Sequence, residues 1–135
     1  MRYMLDTNIC IYLINAHPPQ VVQRFKTATL GQVVMSVVTY AELCHGVERC
    51  VGADRTQAAN SLARLIGRVP VVGFESSAAE SYGVLAVAVR DRRRDAMDRL
   101  IAAHALSLGL TLVTNNEADF QDYPGLSVEN WVAAA

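Results

Sequence analysis

The sequence predicts an α/β domain built on a largely parallel sheet. Two observations predict it. Short apolar runs at residues 3–5, 33–38, 69–72 and 110–114 read as buried strands. Between them lie longer stretches whose apolar residues recur at helical spacing, so strands and helices alternate along the chain.

Taken in order, residues 3–5 form a short buried strand. Residues 8–15 form a helix with Ile9, Tyr12 and Leu13 apolar, ending near His17-Pro18-Pro19. The two prolines restart a second helix with Val21, Val22 and Phe25 on one face, and Gly31 stops it. Residues 33–38 are the clearest strand. Residues 39–50 are helical, opened by the capping-box pattern Thr39-x-x-Glu42. Gly52 breaks that helix, and Asp54 caps the next, in which Ala58, Leu62, Leu65 and Ile66 keep helical spacing. Residues 69–72 form a strand whose Pro70 suits a sheet edge. Ser77 with Glu80 opens a helix through Tyr82, Leu85, Ala86 and Val89. Residues 95–108 form the next helix, closed by Gly109, and residues 110–114 the next strand. Asn115-Asn116 and Pro124-Gly125 are turns, and residues 126–132 are a last short strand. No linker or repeat divides residues 1–135, which are expected to form a single domain.

Composition narrows the function. Hydrophobic residues make up 52% of the 135, enough for a packed core and too many for a disordered tail. No apolar run approaches the roughly 20 residues of a membrane span. The N-terminus lacks a basic-then-apolar signal pattern, and the chain is expected in the cytoplasm. Cys10, Cys44 and Cys50 are an odd number without metal-ligand spacing, and read as free thiols in a reducing compartment. A net charge of −1 excludes a broadly basic nucleic-acid binder. The basic residues are nonetheless nearly all Arg, Lys26 being the exception, and Arg suits bidentate phosphate contact. The densest cluster, Arg90, Arg92, Arg93, Arg94 and Arg99, flanks Asp98. It reads either as a solvated helix junction or as a patch contacting RNA phosphate.

Four acids carry the chemistry. Asp6 follows the first strand, Glu42 lies early in the helix after the second, Asp98 near the start of a later helix, and Asp119 after the strand at 110–114. In a parallel sheet these places share the carboxyl edge, where α/β proteins put their sites. Each acid also has a local reading: Asp6 as an N-cap, Glu42 in its capping box, Asp98 against the helix dipole, Asp119 as a loop carboxylate in water. Capping does not require convergence on one edge. Gathered carboxylates raise one another's pKa unless a cation holds them. With no Cys or paired His in the set, the cation expected is Mg²⁺ or Mn²⁺. Asp6 and Asp98 are the expected direct ligands. Glu42 and Asp119 complete the shell, and Thr7 and Asn8 support Asp6. His17, His45 and His104 share no spacing, and His104 reads as a packed, hydrogen-bonded histidine. Neither a nucleophile elbow nor a Gly-rich phosphate loop is present, which excludes nucleoside-triphosphate chemistry. The reaction these residues suit is metal-dependent hydrolysis of a phosphodiester.

The chain resembles the PIN-domain ribonucleases, and within them the VapC-type toxins of toxin–antitoxin modules. Met4-Leu5-Asp6-Thr7-Asn8-Ile9-Cys10-Ile11-Tyr12-Leu13 resembles the family's first motif, and Ser36-Val37-Val38-Thr39-Tyr40-Ala41-Glu42-Leu43 with Gly46-Val47 its second. Met97-Asp98-Arg99-Leu100-Ile101-Ala102-Ala103-His104-Ala105-Leu106 resembles the third. Leu112-Val113-Thr114-Asn115-Asn116 with Asp119-Phe120, Pro124-Gly125-Leu126 and Glu129-Asn130-Trp131 resembles the family's C-terminal end. The resemblance implies a three-layer α/β/α PIN-like fold and an Mg²⁺-dependent endoribonuclease using Asp6, Glu42, Asp98 and a fourth position. Here Asp119 fills that position, with Thr114 and Asn116 supporting, because Asn116 stands where many relatives carry an acid. It also implies a homodimer and a VapB-type antitoxin that brings operator DNA. The implied substrate is tRNA, the initiator anticodon loop foremost. Residues 92–96 depart from the Gly-Pro linker of many relatives. The rival readings are a PIN nuclease acting on rRNA and a PIN-fold binding module that cuts nothing.

Overall fold

A computed structural model describes residues 1–28, 31–91 and 96–132. Five strands are present in it: β1 (Tyr3–Leu5), β2 (Val33–Ser36), β3 (Val71–Val72), β4 (Thr111–Val113) and β5 (Val128–Glu129). They form one sheet in the order β3-β2-β1-β4-β5, and every pairing is parallel. The helices are α1 (Thr7–Asn15), α2 (Pro19–Thr27), α3 (Val37–Glu48), α4 (Gly52–Ile66), α5 (Ser76–Ala88), α6 (Ala96–Ser107) and α7 (Glu117–Phe120). The expected α/β class holds, and the sheet is parallel throughout.

Strand pleat divides the core into two layers. Tyr3 and Leu5 of β1, Val33 and Met35 of β2 and Val113 of β4 pack with Val21, Phe25, Leu43, Leu62 and Leu65. Met4, Val34 and Leu112, the intervening residues, pack on the other face with Leu85, Ile101, Ala102 and Ala105. Alternate Cβ atoms point to opposite faces, so a strand covered on both sides must be apolar at every position. Burial of each such Leu, Ile or Met contributes about 1.5–3 kcal/mol before entropy is set against it. β3 lies at the sheet edge, as Pro70 suggested, and the Pro70 carbonyl accepts from Met35 N at 2.9 Å.

Several helix starts differ from those the sequence suggested. The strand at 33–38 ends at Ser36, and α3 begins at Val37, two residues before Thr39. Ser36 is its N-cap, with Oγ accepting from Val38 N at 3.0 Å. Thr39 is therefore inside the first turn, and the Thr39-x-x-Glu42 capping box does not form. Asp54 does not cap α4; the helix starts at Gly52 and Asp54 adds a carboxylate to its first turn. α5 starts at Ser76 after Glu75, so Ser77 is not its cap. The four-residue α7 was not expected at all. The start of the helix predicted at residue 95 lies outside the described residues.

The C-terminal segment closes the sheet against α2. Trp131 is buried and meets the Tyr3 ring edge-on at 5.4 Å. Its Nε1 donates to Glu129 Oε1 at 2.9 Å, and Glu129 also pairs with Arg24 of α2. Cys10 is buried, Cys44 and Cys50 are half-buried, and all three are free thiols. Among the described residues, no helix is long and apolar enough to cross a membrane.

Candidate active site

The chain leaves β1 towards β2 and β3 on one side, and returns through β4 and β5 on the other. The sheet's switch point is thus the gap between the carboxyl ends of β1 and β4, where open α/β sheets form their crevice. Asp6 stands at one lip and Thr114 at the other. Asp6 N donates to Val113 O at 3.0 Å, which fastens the two strand ends together.

Asp6 is 5% exposed. Its Oδ1 accepts from Ile9 N at 3.0 Å, so it does cap α1. Burial pushes its pKa above the usual carboxylate range. Hydrogen bonds from the Thr114 side chain and the Ile9 and Asn8 backbone pull it partly back, while the charge of Glu42 pushes it further up. Glu42 reaches this place from the second turn of α3. Thr7 Oγ1 donates to Glu42 Oε1 at 2.6 Å, and the buried Thr39 hydroxyl lies 3.5 Å from Thr7 Oγ1. Glu42 therefore turns towards α1 and not back to its own helix backbone.

Asp98 is half-buried in the first turn of α6. α6 turns at Gly109 directly into β4, so its C-terminus is tied to the amino end of that strand. Its first turn then lies towards the carboxyl end, as His104 meeting Ser36 at the carboxyl end of β2 requires. Asp119 is exposed in α7, immediately beyond β4. Thr114 is buried, and its Oγ1 accepts from Asn116 N at 3.0 Å, which shapes the turn between β4 and α7. Arg99 is 7% exposed, so little of it faces solvent. Arg92, Arg93 and Arg94 lie outside the described residues. His104 is buried and hydrogen-bonded, as expected. The role of Thr39 was missed, because its hydroxyl read locally as a cap.

The closely tied pair is thus Asp6 and Glu42, bridged by Thr7. Among the described residues, no three His, Cys, Asp or Glu side chains are placed to hold one ion by themselves. The pair still suits a hard divalent cation. Its donors are all oxygens, and a cation would relieve the burial and mutual repulsion that now oppose the charge on Asp6. Mg²⁺ commonly takes one or two carboxylates and fills its remaining positions with water and substrate phosphate. From Thr7 and Glu42 a groove of about 700 Å³ runs between α1, α3 and α4. Thr7, Asn8 and Glu42 line one part of it, and Ile11, Ile14, Leu43, Val47 and Leu62 supply apolar walls.

Residues 3–126 match the PIN domain family. The chain is 35% identical over 133 residues to the tRNA(fMet)-specific endonuclease VapC of Shigella flexneri, covering 97% of this chain and 98% of that protein. It is 34% identical to ribonuclease VapC2 of Rickettsia felis over 134 residues, 97% of this chain and 98% of that one. Its fold superposes on the crystal structure of DNA-bound VapBC from Salmonella typhimurium with a TM-score of 0.87 at 31% identity, covering 97% of this chain and 98% of that chain. The chain belongs to the PIN-domain family, among the VapC ribonucleases.

Proposed function

We propose that this protein is the toxin of a toxin–antitoxin pair, an Mg²⁺-dependent endoribonuclease that cuts tRNA, with the initiator tRNA anticodon loop as its first-choice substrate. The observation that carries the chemistry is the Asp6–Glu42 pair, joined through Thr7 at the sheet's switch point. Asp98 and Asp119 complete the acidic set from α6 and α7. A divalent ion bound there would neutralise charge on the scissile phosphate and make a water molecule more acidic. The protein's own residues hold and orient. The Ile9 N–H holds Asp6 Oδ1 and fixes the direction in which the carboxylate faces the cation. Thr7 holds one oxygen of Glu42 and aims the other. Thr114 steadies Asp6, and Asn116 supports the turn that presents Asp119. Arg92, Arg93 and Arg94 are proposed to meet RNA phosphates on the approach to Asp98, with Arg99, largely buried, contributing less.

The tRNA reading rests on the Shigella relative, which is named for tRNA(fMet). The antitoxin reading rests on the Salmonella complex, in which VapBC is bound to DNA. A VapB-type antitoxin would place a segment along the groove between α1, α3 and α4, whose apolar walls suit a peptide, and would bring operator DNA. Homodimerisation is supported by α5, which leaves Val84 and Val87 exposed on one helix. The decisive experiment is cleavage of purified tRNA and rRNA by antitoxin-free protein, with Mg²⁺ and with EDTA, beside Asp6→Asn and Asp98→Asn. Discrete, metal-dependent cuts in tRNA that both variants lose are the expected result. Cuts confined to rRNA would move the substrate. No cleavage by folded, metal-supplied protein would favour a binding module.

A further inference from the structure

His104 is a buried histidine beside a core layer of apolar side chains, among them Leu85, Ile101, Leu112 and Phe120. Its Nδ1 lies 2.8 Å from Ser36 Oγ. Its Nε2 has no hydrogen-bond partner among the described residues. Packing alone does not account for it. A buried nitrogen without a partner costs free energy that a leucine of similar bulk would not. The contact with Ser36 is what an imidazole supplies and a leucine cannot.

Ser36 is the N-cap of α3, its Oγ accepting the Val38 N–H. The hydroxyl keeps a proton to give His104 Nδ1 and a second lone pair to receive one, so the bond forms with either neutral tautomer of the ring. The bridge joins residues 68 apart in sequence and two helices of the site. α3 carries Thr39 and Glu42, and α6 carries Asp98 six residues before His104. The Phe74 ring packs edge-on against the imidazole at 5.3 Å and holds it from the side.

We propose that His104 is a positioning residue: through Ser36 it clamps the first turn of α3 to α6, and so sets Glu42 relative to Asp98. It touches no substrate. This rests on the reading that Glu42 and Asp98 serve one metal-dependent site. Groups that orient ligands from behind commonly change metal affinity or turnover by about 10–100-fold when removed.

The test uses the full antitoxin-free chain at a temperature well below the Tm of every variant. His104→Leu keeps bulk and removes the partner of Ser36. His104→Asn returns an amide, able to donate or accept, near the Nδ1 position. Ser36→Gly removes the hydroxyl from a cap where glycine is tolerated, and stands in if His104→Leu fails to fold. Two readouts are taken: kcat and KM for RNA, and Mn²⁺ affinity by calorimetry without RNA. His104→Leu and Ser36→Gly are expected to lower kcat about tenfold, with KM changed less than about twofold, and to weaken Mn²⁺ binding. His104→Asn recovers most of both, and the Ser36→Gly, His104→Leu double variant is no worse than either single. Folded His104→Leu with wild-type kcat and Mn²⁺ affinity overturns the proposal, as does His104→Asn no better than His104→Leu. A wild type that neither cuts RNA nor binds Mn²⁺ overturns the reading of the site, and this inference with it.

Discussion

Thr7 donates its hydroxyl to Glu42 across 2.6 Å, joining the first residue of α1 to the second turn of α3. Because Thr7 directly follows Asp6, this bond makes the spacing of the two carboxylates a property of covalent geometry plus one contact. Thr7→Val keeps the side-chain shape and removes the donor. It is expected to lower RNA cleavage about tenfold, whereas Thr7→Ser stays within about threefold of wild type. Steady-state kinetics on one tRNA would decide it, and equal rates for Val and Ser would remove Thr7 from the site.

Asp6 is expected to oppose folding at neutral pH when no cation is present. Its pKa in the fold lies above the ordinary 3.8, so the folded chain holds the proton more tightly than the unfolded one. The stabilising contribution is full below that ordinary value and is lost as pH rises through the folded value. Asp6→Asn should therefore raise the metal-free Tm by a few degrees at pH 7 while abolishing cleavage. Mg²⁺ should raise the Tm of wild type and leave Asp6→Asn unchanged. Calorimetric scans with Mg²⁺ and with EDTA test both, and a lower Tm for the variant would refute the first.

His104 titrates in the opposite sense. Burial lowers its pKa below the ordinary 6.5, while the Gly73 backbone and the Glu75 charge pull it partly back. That Gly73 group favours the protonated ring from beyond strict hydrogen-bond geometry, since Nε2 stays unpartnered. The contribution is full above the ordinary value and lost as pH falls through the folded one, where charging the ring opposes burial. Wild type should lose more thermal stability than His104→Asn between pH 7 and pH 5. Equal losses would show that the ring's charge is tolerated in place.

Two glycines should respond oppositely to the same change. Gly109 has φ +67° after α6, with open space where a Cβ would point, so Gly109→Ala meets backbone strain alone. It should cost about 1 kcal/mol. Gly83 lies within α5, also with open space, so Gly83→Ala should stabilise by about 0.5–1 kcal/mol. Denaturant titration gives both values. Cleavage well below the Tm should be unchanged in each.

Strands and long helices could be read from the sequence because each is set by its own apolar pattern. The start of α3 could not. Ser36 and Thr39 are both good capping residues three apart, and local rules favoured Thr39 because Glu42 completes its box. Ser36 meets His104, 68 positions away, and the partner of Glu42 is Thr7, 35 positions away, so neither contact shows in a local pattern. α7 was hidden for another reason: four residues are too few to show helical spacing, and Phe120 alone is buried. Asp6 was legible as a cap, and it does cap α1 through the Ile9 N–H.

The strand order also has a temporal meaning. β1 is made first, yet its Asp6 N–H is held by Val113 and its carboxylate by Thr114, residues made more than a hundred positions later. A growing chain that has not yet passed residue 114 leaves one side of β1 open and Asp6 without its lip. Such contacts between distant positions close late in folding. A ribonuclease laid out this way cannot set its first carboxylate in place until the strand more than a hundred residues downstream has been made.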